Sequence, residues 1–348
     1  MPTDRHITLP EADYLRILVH GATAFELVRT GLELDLFEHI EAAGGLDVTG
    51  AAAALGVAGQ PARVLLLGLT SLRLLERHDG RYVNTPLVRE KLLRDSPRYL
   101  GALIDVQARV INAAMPDLAE SVRRDTNVGL RSIDGPGGTL YERLTAHPEL
   151  QEVFYANMGD ASRKSVALLL DGYDFTGVRN VLDLGGGDGA NSRALLARYP
   201  DLTATLLDHE KVVGIARDRT TDPDVRRRMR FVPGEMFRDP IPTGHDAILI
   251  CHIFEIWALS RSVELLRRCH AALPEGGACL IYNFVSDDAG TGPMSAGLVS
   301  PYFLTLASGE GMAYSAADMA DALTEAGFAK VERHDRLGYS HALVVGRK

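Results

Sequence analysis

From about residue 170 onward, short apolar runs alternate with amphipathic helical stretches, and this alternation leaves few architectures open to the chain. The strand candidates are "NVLDLG", "TATLLD", "MRFVPG", "AILICHIF" and "CLIYNFV", followed by "KVERHD" and "HALVVGR". Between them lie "NSRALLARY", "VVGIARD", "RSVELLRRCHAAL" and "AADMADALTEAG", with apolar residues at helical spacing. Strands separated by helices build an α/β fold with a Rossmann-like, doubly wound, mostly parallel seven-stranded sheet. The last two runs join without a helix, so an antiparallel hairpin is expected at one edge. "DDAGTGPMSAG" (residues 287–297) reads as loop.

Residues 12 to about 165 read as almost entirely helical. Thr49 is the expected N-cap of the alanine-rich helix and Gly56 its stop; Gln60 and Pro61 then open a second helix. "LLERHDGRYVNT" follows as a two-strand ribbon turning at Asp79-Gly80. Helix, short turn, helix and hairpin make a winged helix. A winged helix that reads DNA needs basic residues on its second helix, but "PARVLLLGLTSLRLL" offers only Arg63 and Arg73 among leucines. That helix is expected to bury itself against another protein surface.

The net charge of -9, from 37 basic and 46 acidic residues, also argues against nucleic acid or an anionic membrane as general partner. The cationic "VRRRMR" (residues 225–230) reads as a solvated helix end. The longest apolar stretches are interrupted by groups such as His252 and Glu255, so no bilayer span is expected. "MPTDRHITLP" lacks the apolar core of a leader, and Cys251, Cys269 and Cys279 show no C-x-x-C spacing. A reduced, cytoplasmic protein is expected.

The most informative motif is "NVLDLGGGDGANS" (residues 180–192), a strand end, a glycine turn and a helix start. Doubly wound sheets bind ligands beyond the carboxyl ends of their strands, where Gly185 and Gly187 would let backbone approach a ligand. Asn191 or Ser192 is expected to cap the next helix, whose N-terminus favours an anion. A dinucleotide fingerprint would place glycine at 185, 187 and 190; position 190 is Ala, which that fingerprint tolerates, so spacing alone leaves a nicotinamide cofactor open. Asp183 points elsewhere. An acid inside the strand suits an ammonium better than a pyrophosphate, and Asp208, ending the next strand, can accept from both ribose hydroxyls. Ammonium, carboxylate and ribose together describe S-adenosylmethionine.

"VLDLGGGDG", the acid in "LLDHEKVV", "PGEMF" and "ICHIFEIW" resemble class I S-adenosylmethionine-dependent methyltransferases. Within them the chain is similar to the plant-type small-molecule O-methyltransferases, a group also common in bacterial antibiotic pathways. "LVREKLLRDSPRYLG" and "LYERLTAHPELQEVFYANMGDAS" extend the likeness over nearly the whole chain. The resemblance implies a winged-helix dimerisation domain at 1–110 that makes a homodimer. A helical linker at 111–165 would contribute to the substrate pocket, and 166–348 would be the S-adenosylmethionine-binding catalytic domain. It further implies that Asp183, Gly185 and Gly187 hold the methionine part of the cofactor and Asp208 the ribose. Glu235 would face the adenine amino group, with Met236 and Phe237 flanking the ring and Cys251 and Trp257 beside the cofactor. Phe154, Met158, Asn283, Tyr302, Phe303 and Met312 would line an apolar slot for a flat aromatic substrate.

The chain departs from the family where chemistry is expected. The family's general-base histidine falls on Glu255, its two flanking acids on Asn283 and Ala313, and a lysine near the cofactor on Cys251. Glu255 is therefore the candidate base, with substrate orientation or a structural carboxylate as its other readings, and His252 is an alternative base or pocket wall. His252, Glu255 and His270 do not form a recognised metal-ligand spacing, and no metal is expected. Methyl transfer to a phenolic hydroxyl is the first expectation. Methylation of a carbon ortho to a phenol or beside a keto group is the alternative, and a non-catalytic cofactor-binding protein stays open.

Overall fold

The computed structural model describes residues 11–348 apart from Tyr339 and the Arg336 side chain, so the opening "MPTDRHITLP" lies outside the described residues. The chain divides into two compact units, Met1–Ile104 and Asp105–Lys348.

The first unit runs α1 (Glu11–Val19), α2 (Gly21–Glu33), α3 (Leu36–Ala42), α4 (Val48–Leu55), α5 (Gly59–Ser71), β1 (Leu75–His78), β2 (Arg81–Asn84) and α6 (Pro86–Lys91). β1 and β2 pair antiparallel around Asp79 and Gly80, both at positive φ. The cap of α4 is Asp47, whose carboxylate accepts the Gly50 N–H at 2.7 Å, and Gly56 ends the helix at φ 65°. Thr49 lies inside the helix, so the expectation that it caps is corrected: the residue two positions earlier has the extended backbone a cap requires. On α5, Ala62, Leu65, Leu66 and Leu69 are buried with Leu36, Phe37, Ile40, Leu75 and Val88, while Val64 and Leu67 face outward.

In the second unit, α7 (Gly101–Val106, spanning the boundary), α8 (Leu118–Arg124), α9 (Leu140–Leu144) and the 25-residue α10 (Pro148–Gly172) precede the sheet. Its strands are β3 (Asn180–Leu184), β4 (Thr203–Asp208), β5 (Met229–Pro233), β6 (Ala247–Cys251), β7 (Ala278–Phe284), β8 (Lys330–Leu337) and β9 (His341–Arg347), in the order β5-β4-β3-β6-β7-β9-β8. β3 to β7 run parallel; β9 lies antiparallel on β7, with β8 at the edge. Flanking helices are α11 (Ala190–Arg198), α12 (Glu210–Arg219), α13 (Pro223–Arg228), α14 (Leu259–Ala272), α15 (Met294–Tyr302) and α16 (Ala316–Glu325). Neighbouring residues of one strand feed opposite faces. Leu182, Ile248 and Ile281 join a core with Leu266 and Met319, whereas Val181, Leu249 and Leu280 join one with Leu195 and Val213. Burial on both faces is why these strands read as continuous apolar runs. The segment expected as loop over 287–297 ends early, because α15 begins at Met294 behind Pro293 at the N-cap and buries Ala296.

From β3 the chain steps outward to β4 and β5, then returns to β6 on the opposite side of β3. The crevice beyond β3 and β6 is therefore the switch point at which doubly wound sheets take ligands. The glycine turn follows β3 there, and residues 252–257 follow β6.

Candidate active site

Asp183 sits fully buried in β3, where Ser192 Oγ donates to its Oδ2 at 2.5 Å. Burial raises its pKa to about 6 against the opposing pull of the Ser192 bond. Its Oδ1 has no partner among the described residues. A buried carboxylate oxygen left unpaired suits an incoming cation that brings its own donors, which is what the ammonium of S-adenosylmethionine offers. Neither Asn191 nor Ser192 caps α11. Gly189 does so, at φ 80° and without a side-chain bond, and this frees Ser192 to hold Asp183. Across the crevice Asp208 accepts the Gly187 N–H at 2.9 Å and the His209 N–H at 2.7 Å, and burial lifts its pKa. Gly185, at φ 70°, could not carry a side chain: a Cβ would lie 2.7 Å from Ile253 and 3.2 Å from the Met236 methyl. The turn after β3 and the segment after β6 thus touch.

Beyond β5, Glu235 accepts the Phe237 N–H at 3.1 Å. The rings of Phe237 and Trp257 meet edge to face at 5.1 Å, and the Arg261 guanidinium lies over both, 4.3 and 4.1 Å from their centres. The Trp257 Nε1 is buried without a partner among the described residues. Met236, Phe237 and Trp257 supply apolar side chains of the kind a purine face needs, beside an acid that suits a purine amino group. Cys251 ends β6 as a buried thiol with its pKa raised by burial, then by Asp183 and Glu255. Among the described residues no cation is found in the interactions that shift these two carboxyls.

Glu255 lies on the single turn Phe254–Ile256 after β6 and is 2% exposed. Burial pushes its pKa up to about 8, against the bond that Asn283 Nδ2 donates to its Oε2. Asn283, from the neighbouring β7, is itself fully buried with Oδ1 unpartnered among the described residues. His252 turns the chain at φ 53° and places Nδ1 3.8 Å from Glu255. Burial, and then His341, drives the His252 pKa to about 3, so the ring is neutral and the approach is not an ion pair. It stacks on Phe284 at 5.8 Å and meets Tyr282 and His341 edge-on.

Phe154, Tyr302 and Phe303 fall into one buried cluster, packed against Trp257 and Phe284. Met158 and Met312, 37% and 46% exposed, stand outside it. Three neighbours escaped the reading of the sequence. The Tyr141 and Tyr302 hydroxyls are 3.5 Å apart, and Tyr155 packs on Phe154 at 5.5 Å. Asp188, within the glycine turn, is 4% exposed and meets Arg219 at 2.7 Å, Arg163 at 3.4 Å and Arg193 at 3.8 Å. Arg163 comes from α10, which carries Phe154. Gly159 on the same helix lets the two elements close, since a Cβ there would lie 2.3 Å from Asp188 Oδ2. His270 packs on Phe328 at 5.0 Å, and among the described residues no group of three His, Cys, Asp or Glu is placed to hold a metal. Nor is any single helix among them long and apolar enough to cross a membrane.

Fold and cradle together define an S-adenosylmethionine-dependent methyltransferase. The family model of the O-methyltransferase domain matches residues 116–329, and the chain belongs to that family. It is 34% identical to an L-tyrosine C(3)-methyltransferase of Streptomyces lavendulae, over 95% of this chain and 91% of that one. It is 32% identical to a 3-hydroxy-5-methyl-1-naphthoate 3-O-methyltransferase of Streptomyces sahachiroi, over 90% and 88%. Among solved structures, the apo form of the S-adenosylmethionine-dependent methyltransferase SibL is 35% identical, with a TM-score of 0.81 over 96% of this chain and 98% of that one. Human N-acetylserotonin methyltransferase in complex with SAM shares the fold, at 24% identity and a TM-score of 0.84 over 99% of both chains.

Two consequences can be measured. A methyl group at 159 has no room beside the arginine-held Asp188, so Gly159→Ala should lower the melting temperature by several degrees; an unchanged melt would show that Asp188 can move aside. Glu255 binds its proton more tightly folded than unfolded, so its contribution to stability is complete below pH ~4.3 and drains away as pH rises through about 8. Glu255→Gln should therefore melt close to the wild type at pH 5 and above it at pH 9. An identical difference at both values would mean the carboxyl is not desolvated.

Proposed function

We propose that this chain moves the methyl group of S-adenosylmethionine to the hydroxyl oxygen of a small phenolic aromatic, with Glu255 taking the hydroxyl proton. The observation that carries this reading is the buried carboxyl of Glu255, with a pKa of about 8, at the switch point of the sheet. A phenol ionises near pH ~10, and an ordinary carboxylate near ~4.3 is a poor match for its proton. Raised to about 8, Glu255 comes much closer. His252, at about 3, is by far the weaker base and serves as pocket wall. When bound, S-adenosylmethionine supplies an electrophilic methyl on a sulfonium. Asp183 and the glycine turn would hold its methionine end, Asp208 its ribose, and Glu235, Met236, Phe237 and Trp257 its adenine. Phe154, Tyr302 and Phe303 would align the substrate ring and exclude water, and in-line positioning would supply much of the rate.

A second reading has support of its own. The relative at 34% identity methylates a ring carbon of tyrosine by name. Proton removal by Glu255 would also activate the carbon ortho to a phenolic hydroxyl. Reaction with methyl-labelled cofactor, followed by NMR location of the label, separates the two outcomes.

If Glu255 is the base, kcat/KM should rise with pH through a single ionisation near 8 to a plateau, since only the carboxylate accepts the proton. Glu255→Gln should lose on the order of 10²-fold or more and lose that limb with it. A variant that keeps the wild-type rate and profile would remove the base.

The first unit is read as a cytoplasmic enzyme's dimerisation element. Leu15, Leu18 and Val19 on α1 and Val64 and Leu67 on α5 are exposed apolar side chains, 56–72% accessible, that a second copy would cover. Light scattering should give twice the 37.7 kDa chain mass, and Leu67→Asp should shift it toward the single mass; a monomeric wild type would refute the assignment.

A further inference from the structure

Within the second unit, a cleft of about 230 Å³ is walled by Tyr141, Tyr155 and Gln151 and, from the start of α12, by His209, Glu210 and Lys211. It is bracketed by the two halves of the site. Tyr155 feels the charge of Asp208, and Tyr141 feels Glu255 and lies 3.5 Å from the Tyr302 hydroxyl. The inner wall is therefore aromatic and leads toward the candidate base. The outer wall carries both signs of charge. Lys211 Nζ reaches only the Thr145 carbonyl, at 2.7 Å, and neither Lys211 nor Glu210 has an ion-pair partner among the described residues. Glu142, also on the wall, spends Oε2 on the Gly138 and Thr139 N–H groups and, like Glu210, has no ion-pair partner among the described residues.

A cleft with an aromatic inner wall and, at its mouth, a lysine beside unpaired carboxylates fits a molecule with a ring at one end and a zwitterion at the other. The volume falls below the roughly 300–1,000 Å³ typical of drug-sized pockets, which favours one ring over fused rings. We propose that the cleft receives the head of a single-ring phenolic α-amino acid, its carboxylate on Lys211 and its ammonium on Glu210, with the ring passing Tyr141 and Tyr155 toward Glu255. This deepens the reading of the chain as a phenol methyltransferase and rests on it. Lys211 and Glu210 set specificity and take no part in methyl transfer itself.

The test is a set of steady-state assays with methyl-labelled S-adenosylmethionine and five acceptors: L-tyrosine, tyramine, 3-(4-hydroxyphenyl)propionate, 4-methylphenol and 2-naphthol. Transfer to oxygen or to carbon counts equally. Losing the carboxylate (tyramine) or the ammonium (the propionate) should raise KM on the order of tenfold, the scale of one charge-assisted contact, with kcat changing much less. In Lys211→Met the KM ratio of tyramine to tyrosine should collapse toward one, and in Glu210→Gln that of the propionate to tyrosine should do the same. Equal KM values across the four single-ring acceptors, ratios untouched by both variants, or turnover of 2-naphthol alone would overturn the head-group site and leave phenol methylation standing. No transfer to any of the five would overturn both.

Discussion

The site depends on a carboxyl group placed where a carboxyl is costly. Asp183 is the fourth residue of a central strand, sealed from water, and one short bond from Ser192 satisfies only one of its oxygens. Such a group is tolerated when something regularly arrives to complete its shell. The surrounding backbone is arranged to the same end. The left-handed glycines bend the chain away from the strand end, and Ser192 stands one turn into α11 because a glycine rather than a side chain begins that helix. Asp208 fastens the far side of the turn through the Gly187 N–H. Sheet order, turn and helix start are in this sense one device for holding a partly satisfied acid at a switch point.

The second acid, Glu255, follows the same logic with a different outcome. Its carboxyl is enclosed by Asn283, neutral His252 and the Cys251 thiol, with no cation among the groups that shift it. The resemblance places a lysine, a histidine and two acids at the positions held here by Cys251, Glu255, Asn283 and Ala313. The exchange removes charge from the set and leaves a lone acid in a dry surround. Its pKa stands near 8 because burial outweighs the backbone and Asn283 hydrogen bonds that favour the ionised form. A positive charge introduced at 251 would undo this and return the carboxyl toward its ordinary range.

Most of the sheet was legible, and for a physical reason. Strands buried on both faces have to be apolar throughout, so β3, β4, β6, β7 and β9 stand out from the amphipathic helices, whereas the edge strand β8, Lys330–Leu337, is largely polar. Asp183, inside one strand, and Asp208, ending the next, were legible because an acid in an apolar run is conspicuous, whereas Glu255, on the turn after β6, was reached only through the family resemblance. The helix starts were less so. Asp47 and Gly189 hold positions that Thr49 and Asn191 or Ser192 could have filled by residue type alone, and only backbone angles decide between them. What escaped altogether was contact across distance. Tyr141 meets Tyr302 over 161 residues of chain, and Asp188 gathers arginines from three helices; no local pattern announces either. Arg261 was closer to reach, four residues after Trp257 in the first turn of α14.

The arginine-held Asp188 has a practical consequence for altering what the enzyme accepts. It bolts α10, the helix that carries Phe154, directly to the glycine turn through Gly159 and Arg163. Remodelling that helix for bulkier acceptors would therefore disturb donor affinity at the same time, because the two share a hinge pin. The side around Tyr302 and Phe303 has no such bolt to the glycine turn among the described residues. Breadth of acceptor is most freely engineered from that side.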